Sequence, residues 1–193
     1  MKNYGYFASF HPTDAAKVVI MRTDKNLTGV ERHFAETDII VSKTNTKGII
    51  TYANRTFLNV SDYLESEVVG KPHNLIRHPE MPRCIFKMLW ENLQTGKELF
   101  AYVVNCTKFG DHYWVLAHAT PSFDSQKQIV GYHSNRRVPD RAVLEGEIIP
   151  LYRELLDIEK KASDPMTGLT LALDHFHAVF KKKELSYDRF IFA

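Results

Sequence analysis

Hydrophobic and polar positions along the chain fall into three regimes, and the middle one is the most regular. DIIVSKTNTKGIITYAN, from Asp38, reads as two apolar alternating runs around a polar break. It predicts a strand, a turn through Asn45 to Gly48 and a second strand, an opening hairpin. Asn54 to Val60 and Ser61 to Val69 then predict brief helices, with Ser61 suited to an N-cap and Gly70 to a stop. In RCIFKMLWENLQ, Ile85, Met88, Leu89, Asn92 and Leu93 recur near one helical face, and Gly96 ends the run. LFAYVVNCTK, HYWVLAHATPSFD and IVGYHSNRR complete this region as three β-rich runs, divided by Phe109-Gly110-Asp111 and by Asp124 to Gln128. The order predicts an α+β fold: a five-stranded antiparallel sheet with helices on one face and room for a pocket beneath them.

The flanks differ. Residues 1–36 are mixed in character and read as an N-terminal extension, whereas residues 139–193 turn helical. Leu144, Ile148, Leu151, Leu155 and Ile158 step by four, three, four and three, interrupted by Pro150, which predicts a kink or two shorter helices. A last helix is expected to open at Ser163-Asp164-Pro165, with Asp164 as cap and Pro165 in the first turn. Met166, Leu169, Leu173, Phe176 and Phe180 form its stripe. Such stripes must be covered, either by folding back on the same chain or by a dimer or partner contact.

Composition narrows the function classes. With 44% hydrophobic and 25% charged residues, the 193-residue chain is globular. A formal charge of +2, dispersed apart from groups such as Arg136-Arg137 and Lys181 to Lys183, gives no reason to expect nucleic acid. Apolar runs such as Val18-Val19-Ile20-Met21 fall far short of the roughly 20 residues that span a bilayer, so no direct membrane insertion is expected. MKNYGYFASFHPTD lacks the apolar core of a secretory signal, and Cys84 and Cys106 suit a reducing compartment; the expected location is cytoplasmic. No nucleophile triad, phosphate-cradling glycine loop or zinc spacing emerges, so no enzyme is expected. SDPMTGLTLALDHF is loosely similar to the start of diguanylate cyclase domains, but no GGDEF motif follows.

The loop KPHNLIRHPEMP, residues 71–82, carries the chemistry. Three prolines fix its backbone, so the side chains of His73, Arg77, His78 and Glu80 are held in defined directions. Together with ITYANRTFLNVSDY and KFGDHYWVLAHATP, in the same order, it closely resembles the PAS domains of Aer-like aerotaxis receptors, which bind FAD and report redox state to the chemotaxis machinery. The resemblance covers about residues 37–138, which it implies are a PAS sensor domain, followed by the helical extension of residues 139–193. TGVERHF and the tail SYDRFIF are similar to small stand-alone proteins carrying this domain. The resemblance implies output through a partner, a membrane chemoreceptor or another signalling protein, and allows a homodimer.

It also implies a site. Arg77, His78 and Glu80 occupy loop positions that matter for FAD in the family, a relative carrying aspartate where this chain has Glu80. Arg77 is suited to phosphate oxygens, and His78 to donating or accepting. Asn54 and Asn105 are the candidate contacts for the pyrimidine edge, since a carboxamide offers a donor and an acceptor. Asn105 shares a strand face with Ala101 and Val103 and is preferred; Asn54 can equally cap the next helix. Trp90 is the aromatic wall by resemblance, while Trp114, also a candidate wall, fits a core role better. Two other ligand classes remain. Heme would need an axial ligand among His73, His78, His112 and His118, and Asn105-Cys106 superficially matches the flavin-reactive pair of a LOV photosensor, though on a strand. A ligand-free adaptor or dimerisation module is the further alternative.

Overall fold

A computed structural model describes residues 26–182 together with Tyr187 and Ile191. The expectations resting on MKNYGYFASFHPTD, on Val18 to Met21 and on most of SYDRFIF lie outside the described residues.

The opening hairpin joins β1 (Ile40–Asn45) to β2 (Ile50–Ala53). Asn45 builds its turn: Oδ1 accepts from the Lys47 and Ile49 amides at 2.9 and 3.1 Å, and Gly48 adopts a left-handed φ of 75°. Next come α1 (Arg55–Ser61), α2 (Glu65–Val68), a 3₁₀ turn (His73–Ile76) and α3 (Arg83–Gln94). The strands β3 (Leu99–Cys106), β4 (His112–Phe123) and β5 (Ile129–Arg137) complete a sheet ordered β2-β1-β5-β4-β3, antiparallel at each pairing. Since β2 and β3 lie on opposite edges, the chain between them must cross the sheet, and this crossing lays the helices over one face. The same segment bonds to the outer strands: Lys71 O accepts from Ile50 N at 2.9 Å, Ile50 O accepts from Gly70 N at 2.8 Å, and Arg77 bridges Asn105.

Ser61 does not start the second helix. Its hydroxyl donates back to Phe57 O at 2.7 Å and closes α1, a bond that a serine at a helix C-terminus makes readily. Instead Glu67 reaches back to the Leu64 amide at 3.0 Å to begin α2.

After β5 the chain forms α4 (Arg141–Val143), a π-type turn (Leu144–Ile148), α5 (Ile149–Lys161) and α6 (Pro165–Lys182). Pro150 leaves the backbone helical; the irregularity is the wide turn just before it, where the carbonyl of Gly146 would otherwise meet the proline ring. Asp164 caps α6, its Oδ1 accepting from the Met166 and Thr167 amides at 2.9 and 3.0 Å. At Gly168 the two helices approach so closely that a Cβ would lie 2.7 Å from Glu159 O, a packing reason for that glycine.

Apart from the exposed Met166, the C-terminal stripes are covered by this same chain. Leu144, Ile148, Leu155, Leu169, Phe176 and Phe180 join one apolar core with Phe57, Ile85 and Met88. Two polar contacts fix the attachment. Tyr152 donates to the Tyr102 carbonyl of β3 at 2.7 Å, and the buried Glu159 accepts from Arg83 Nε and Cys84 N, both at 2.9 Å, at the start of α3. Ahead of β1, the Val30 carbonyl and the Arg32 amide pair with His112, while Glu31 binds Arg141 at 2.6 Å.

A candidate ligand cavity between sheet and helix

Between the inner sheet face and α3 lies a cavity of about 310 Å³. Period-two alternation builds its floor. Ser42 and Thr44 come from β1, Val103 and Asn105 from β3, Ala117 and Ala119 from β4, and Tyr132, Ser134 and Arg136 from β5. Alanines on β4, one of the two inner strands of this floor, leave the space open. The opposite wall is α3, whose 3.6 period brings Phe86, Leu89, Trp90 and Leu93 to the cavity. Trp90 meets Tyr132 edge to face with centroids 5.2 Å apart, joining wall to floor. The β1–β2 turn and the proline loop close the remaining sides with Lys47, Gly48, His73, Asn74 and Arg77.

The polar groups follow a consistent charge pattern. Arg136 is 4% exposed and donates to Ser42 Oγ at 3.0 and 3.1 Å and to His73 Nε2 at 2.8 Å. Burial pushes its pKa down to about 10, which leaves it protonated at neutral pH. Burial, with the neighbouring guanidinium, lowers His73 to about 3, so the imidazole stays neutral and Nε2 keeps the lone pair that accepts. The Arg77 guanidinium lies 4.2 Å from the centre of the Phe86 ring, and burial brings its pKa to about 10. Asn105 is 3% exposed, and its Nδ2 is buried with no hydrogen-bond partner. Among the described residues no aspartate or glutamate borders the cavity, whereas Lys47, Arg77 and Arg136 do. The arrangement therefore suits a flat, largely apolar ligand that accepts a hydrogen bond and carries negative charge.

Of the seven residues expected at the site, Arg77, Trp90 and Asn105 come together on its walls. The other four lie elsewhere. Asn54 caps α1, its Oδ1 accepting from Phe57 N and Val41 N at 2.9 and 3.0 Å while Nδ2 donates to Ile39 O at 2.8 Å. Both ends of the carboxamide are thereby engaged. His78 is buried outside the cavity, with its ring 5.7 Å from that of His112 and Nδ1 accepting from the Glu80 amide at 3.1 Å. Glu80 is exposed, and Trp114 packs toward Tyr152 at 6.1 Å between ring centres. Strand alternation puts Trp114 on the face opposite Val115, Ala117 and Ala119.

Sequence reasoning missed Ser42, Arg136, Tyr132, Phe86 and Lys47, and weighed His73 only as a heme ligand. The signal for part of this set is the spacing of Tyr132, Ser134 and Arg136 on β5, which directs all three to one face. Of the four histidines weighed for heme, His73 alone borders the cavity, and its Nε2 is engaged by Arg136. Cys106 is buried next to Asn105 and does not border it. Among the described residues no cluster of three or more histidines, cysteines or carboxylates is placed to hold a metal ion, and no helix is long and apolar enough to cross a membrane.

Comparison with known proteins points in one direction. A family model described as the PAS fold matches residues 50–136. The chain is similar to the aerotaxis receptor of Escherichia coli (strain K12), 42% identical over 122 residues, which are 63% of this chain and 24% of the receptor. It is also similar to phototropin-1A of Oryza sativa subsp. japonica, 25% identical over 52% of this chain and 11% of that protein. The chain thus spans a quarter or less of the length of these relatives. Among solved structures, a light-oxygen-voltage domain studied with a flavin analogue matches with a TM-score of 0.51 at 20% identity, covering 60% of this chain and 87% of that one. The dark-state LOV domain of the blue-light photoreceptor Aureochrome1 matches with a TM-score of 0.51 at 21% identity, over 60% and 86%. At these identities the structural matches speak for the fold.

Proposed function

We propose that the PAS domain this chain carries, similar to that of the aerotaxis receptor, binds FAD in the cavity under α3 and signals redox or energy state to a protein partner. The observation that carries the reading is the buried Nδ2 of Asn105, among the described residues a donor without a partner in an aromatic-walled cavity without acidic groups. A buried amide donor is costly to leave unmade, and a ring carbonyl of the isoalloxazine would satisfy it. When bound, the flavin supplies reversible electron uptake, which changes the hydrogen-bonding character of its ring edge.

This chain's residues supply the rest. Asn105 orients the ring edge with a carboxamide that can present either its NH₂ or its oxygen. Trp90, Phe86 and Leu89 exclude water from the ring, and Arg77 and Arg136 keep the surroundings positive. The Arg77 bridge to Asn105 connects the reporting residue to the proline loop. A change in how Asn105 is bonded thus has a short path to the domain surface, where it biases an equilibrium between two arrangements. The partner in this reading is a membrane chemoreceptor or a related signalling protein, the location is cytoplasmic, and a homodimer is compatible with it.

An absorption spectrum of the purified full chain tests the proposal. Flavin bands that dithionite bleaches support it, together with a loss of up to about tenfold in FAD affinity for Asn105→Ala, the scale of one hydrogen bond. A Soret band would replace flavin with heme. A featureless spectrum that persists after FAD addition would leave an adaptor.

A further inference from the structure

We infer that Lys47 binds the ligand's phosphate, so that the ligand lies with its ring inside the cavity and its phosphate at the mouth, beside the β1–β2 turn. The inference rests on the flavin reading and specifies which part of the molecule the protein recognises by charge. At about 310 Å³ the cavity is at the lower end of ligand-site sizes, enough for a fused ring and too small for a whole dinucleotide. The remainder must pass over the rim. A phosphate is strongly hydrated and costly to bury, so the rim is where it is most cheaply held.

Of the three cations that border the cavity among the described residues, two are committed to its interior. The Arg136 guanidinium is buried and donates to Ser42 and His73. Arg77 rests on Phe86 and bridges β3 through its backbone. Lys47 borders the cavity and is exposed, and among the described residues its amine has no ion pair or hydrogen bond. Its backbone is nonetheless well anchored. Asn45 Oδ1 holds the Lys47 amide at 2.9 Å, Gly48 O accepts from His73 N at 2.9 Å, and Ile49 bridges Pro72. Gly48 also lies under the Trp90 ring, where a Cβ would be only 3.3 Å from two ring carbons. The residue is thus tied to the proline loop and to the aromatic wall while its ammonium group stays open to the solvent side, a placement suited to a phosphate, for which lysine serves as a point charge.

The test compares riboflavin, FMN and FAD binding to the ligand-stripped full chain by quenching of flavin fluorescence, in wild type, Lys47→Met, Lys47→Arg and Arg77→Met. Lysine to methionine keeps the apolar stem and removes the charge. The expected result is that Lys47→Met weakens FMN and FAD by about tenfold, leaves riboflavin unchanged and is rescued by Lys47→Arg, with a flatter salt dependence. Equal losses for all three flavins, no loss, or a phosphate-selective loss in Arg77→Met alone would each overturn the assignment while keeping the flavin reading. Wild-type protein that binds none of the three would overturn both.

Discussion

Replacing Glu159 by alanine should destabilise the domain well beyond an average helix substitution. The side chain is 5% exposed and holds Arg83 Nε and the Cys84 amide, both at 2.9 Å, at the first two residues of α3. The residue at the N-cap of α3 is Pro82, which supplies no side-chain acceptor, so Glu159 takes over that task from a distant helix. Removing it leaves the Cys84 amide buried and unmatched, at about 1–3 kcal/mol. It also strands the Arg83 charge, a smaller loss because that side chain is 21% exposed and water can reach it. The sum is about 3 kcal/mol, at the lower end for breaking a buried pair. Glu159→Gln keeps an acceptor for the amide and should lose about 1 kcal/mol. Urea unfolding of the full chain reads both: with an m-value of about 2 kcal/mol/M, the alanine variant's midpoint falls by about 1.5 M and the glutamine variant's by about 0.5 M. Equal midpoints for the two variants, within about 0.2 M of wild type, would refute the capping argument.

Gly48→Ala should cost about 1–2 kcal/mol, because the left-handed φ of 75° is strained for alanine, and should shift tryptophan emission, because the new methyl meets the Trp90 ring; unchanged emission would place the turn away from Trp90. The Asp164 carboxyl is held below the ordinary aspartate range, first by the Thr167 hydroxyl and then by the Thr167 and Met166 amides. Its contribution to α6 is therefore present above the unfolded-state pKa and lost as pH falls through the lower folded value. The Thr167 amide shift should report that titration in wild type and lose it in Asp164→Ala. A chain ended after Pro139 should lack a cooperative thermal transition, since it removes Leu144, Leu155, Phe176 and Phe180 from the shared core; a sharp transition would make the helices accessory.

The strands and the long helices were legible because their patterns are local. The asparagine turn, the glycine stops and the step of Ile85, Met88 and Leu89 need no knowledge of distant residues. Asn105 could be placed on the cavity wall for the same reason, by strand alternation, whereas Trp90 was placed there by the family resemblance and not by the helical face read from periodicity. Asn54 shows how a single signal divides: its position before Arg55 suits a cap as well as a ligand contact, and the helix start takes both ends of the amide. Trp114 is a case where alternation with Val115 and Ala117 would have decided the face. Arg136 was hidden because its partners, Ser42 and His73, are 94 and 63 positions away: strand spacing gives the face it shares with Tyr132 and Ser134, but not the distant groups that hold it there. Glu159 was hidden likewise, since helical spacing does not reveal that a carboxylate caps a different helix.

The chain that crosses the sheet has a second consequence, for self-association. Sheet edges with open amides and carbonyls invite strand addition from another molecule. Here Gly70 and Lys71 occupy backbone groups of Ile50 on β2, while Arg77 on the far side and the Tyr152 hydroxyl take up groups of β3. One segment thus guards two opposite borders, and its prolines, which cannot donate, make it a poor template for a further strand. Copies of this domain that meet would therefore do so through side chains on their faces and helices, not by extending one sheet into the next.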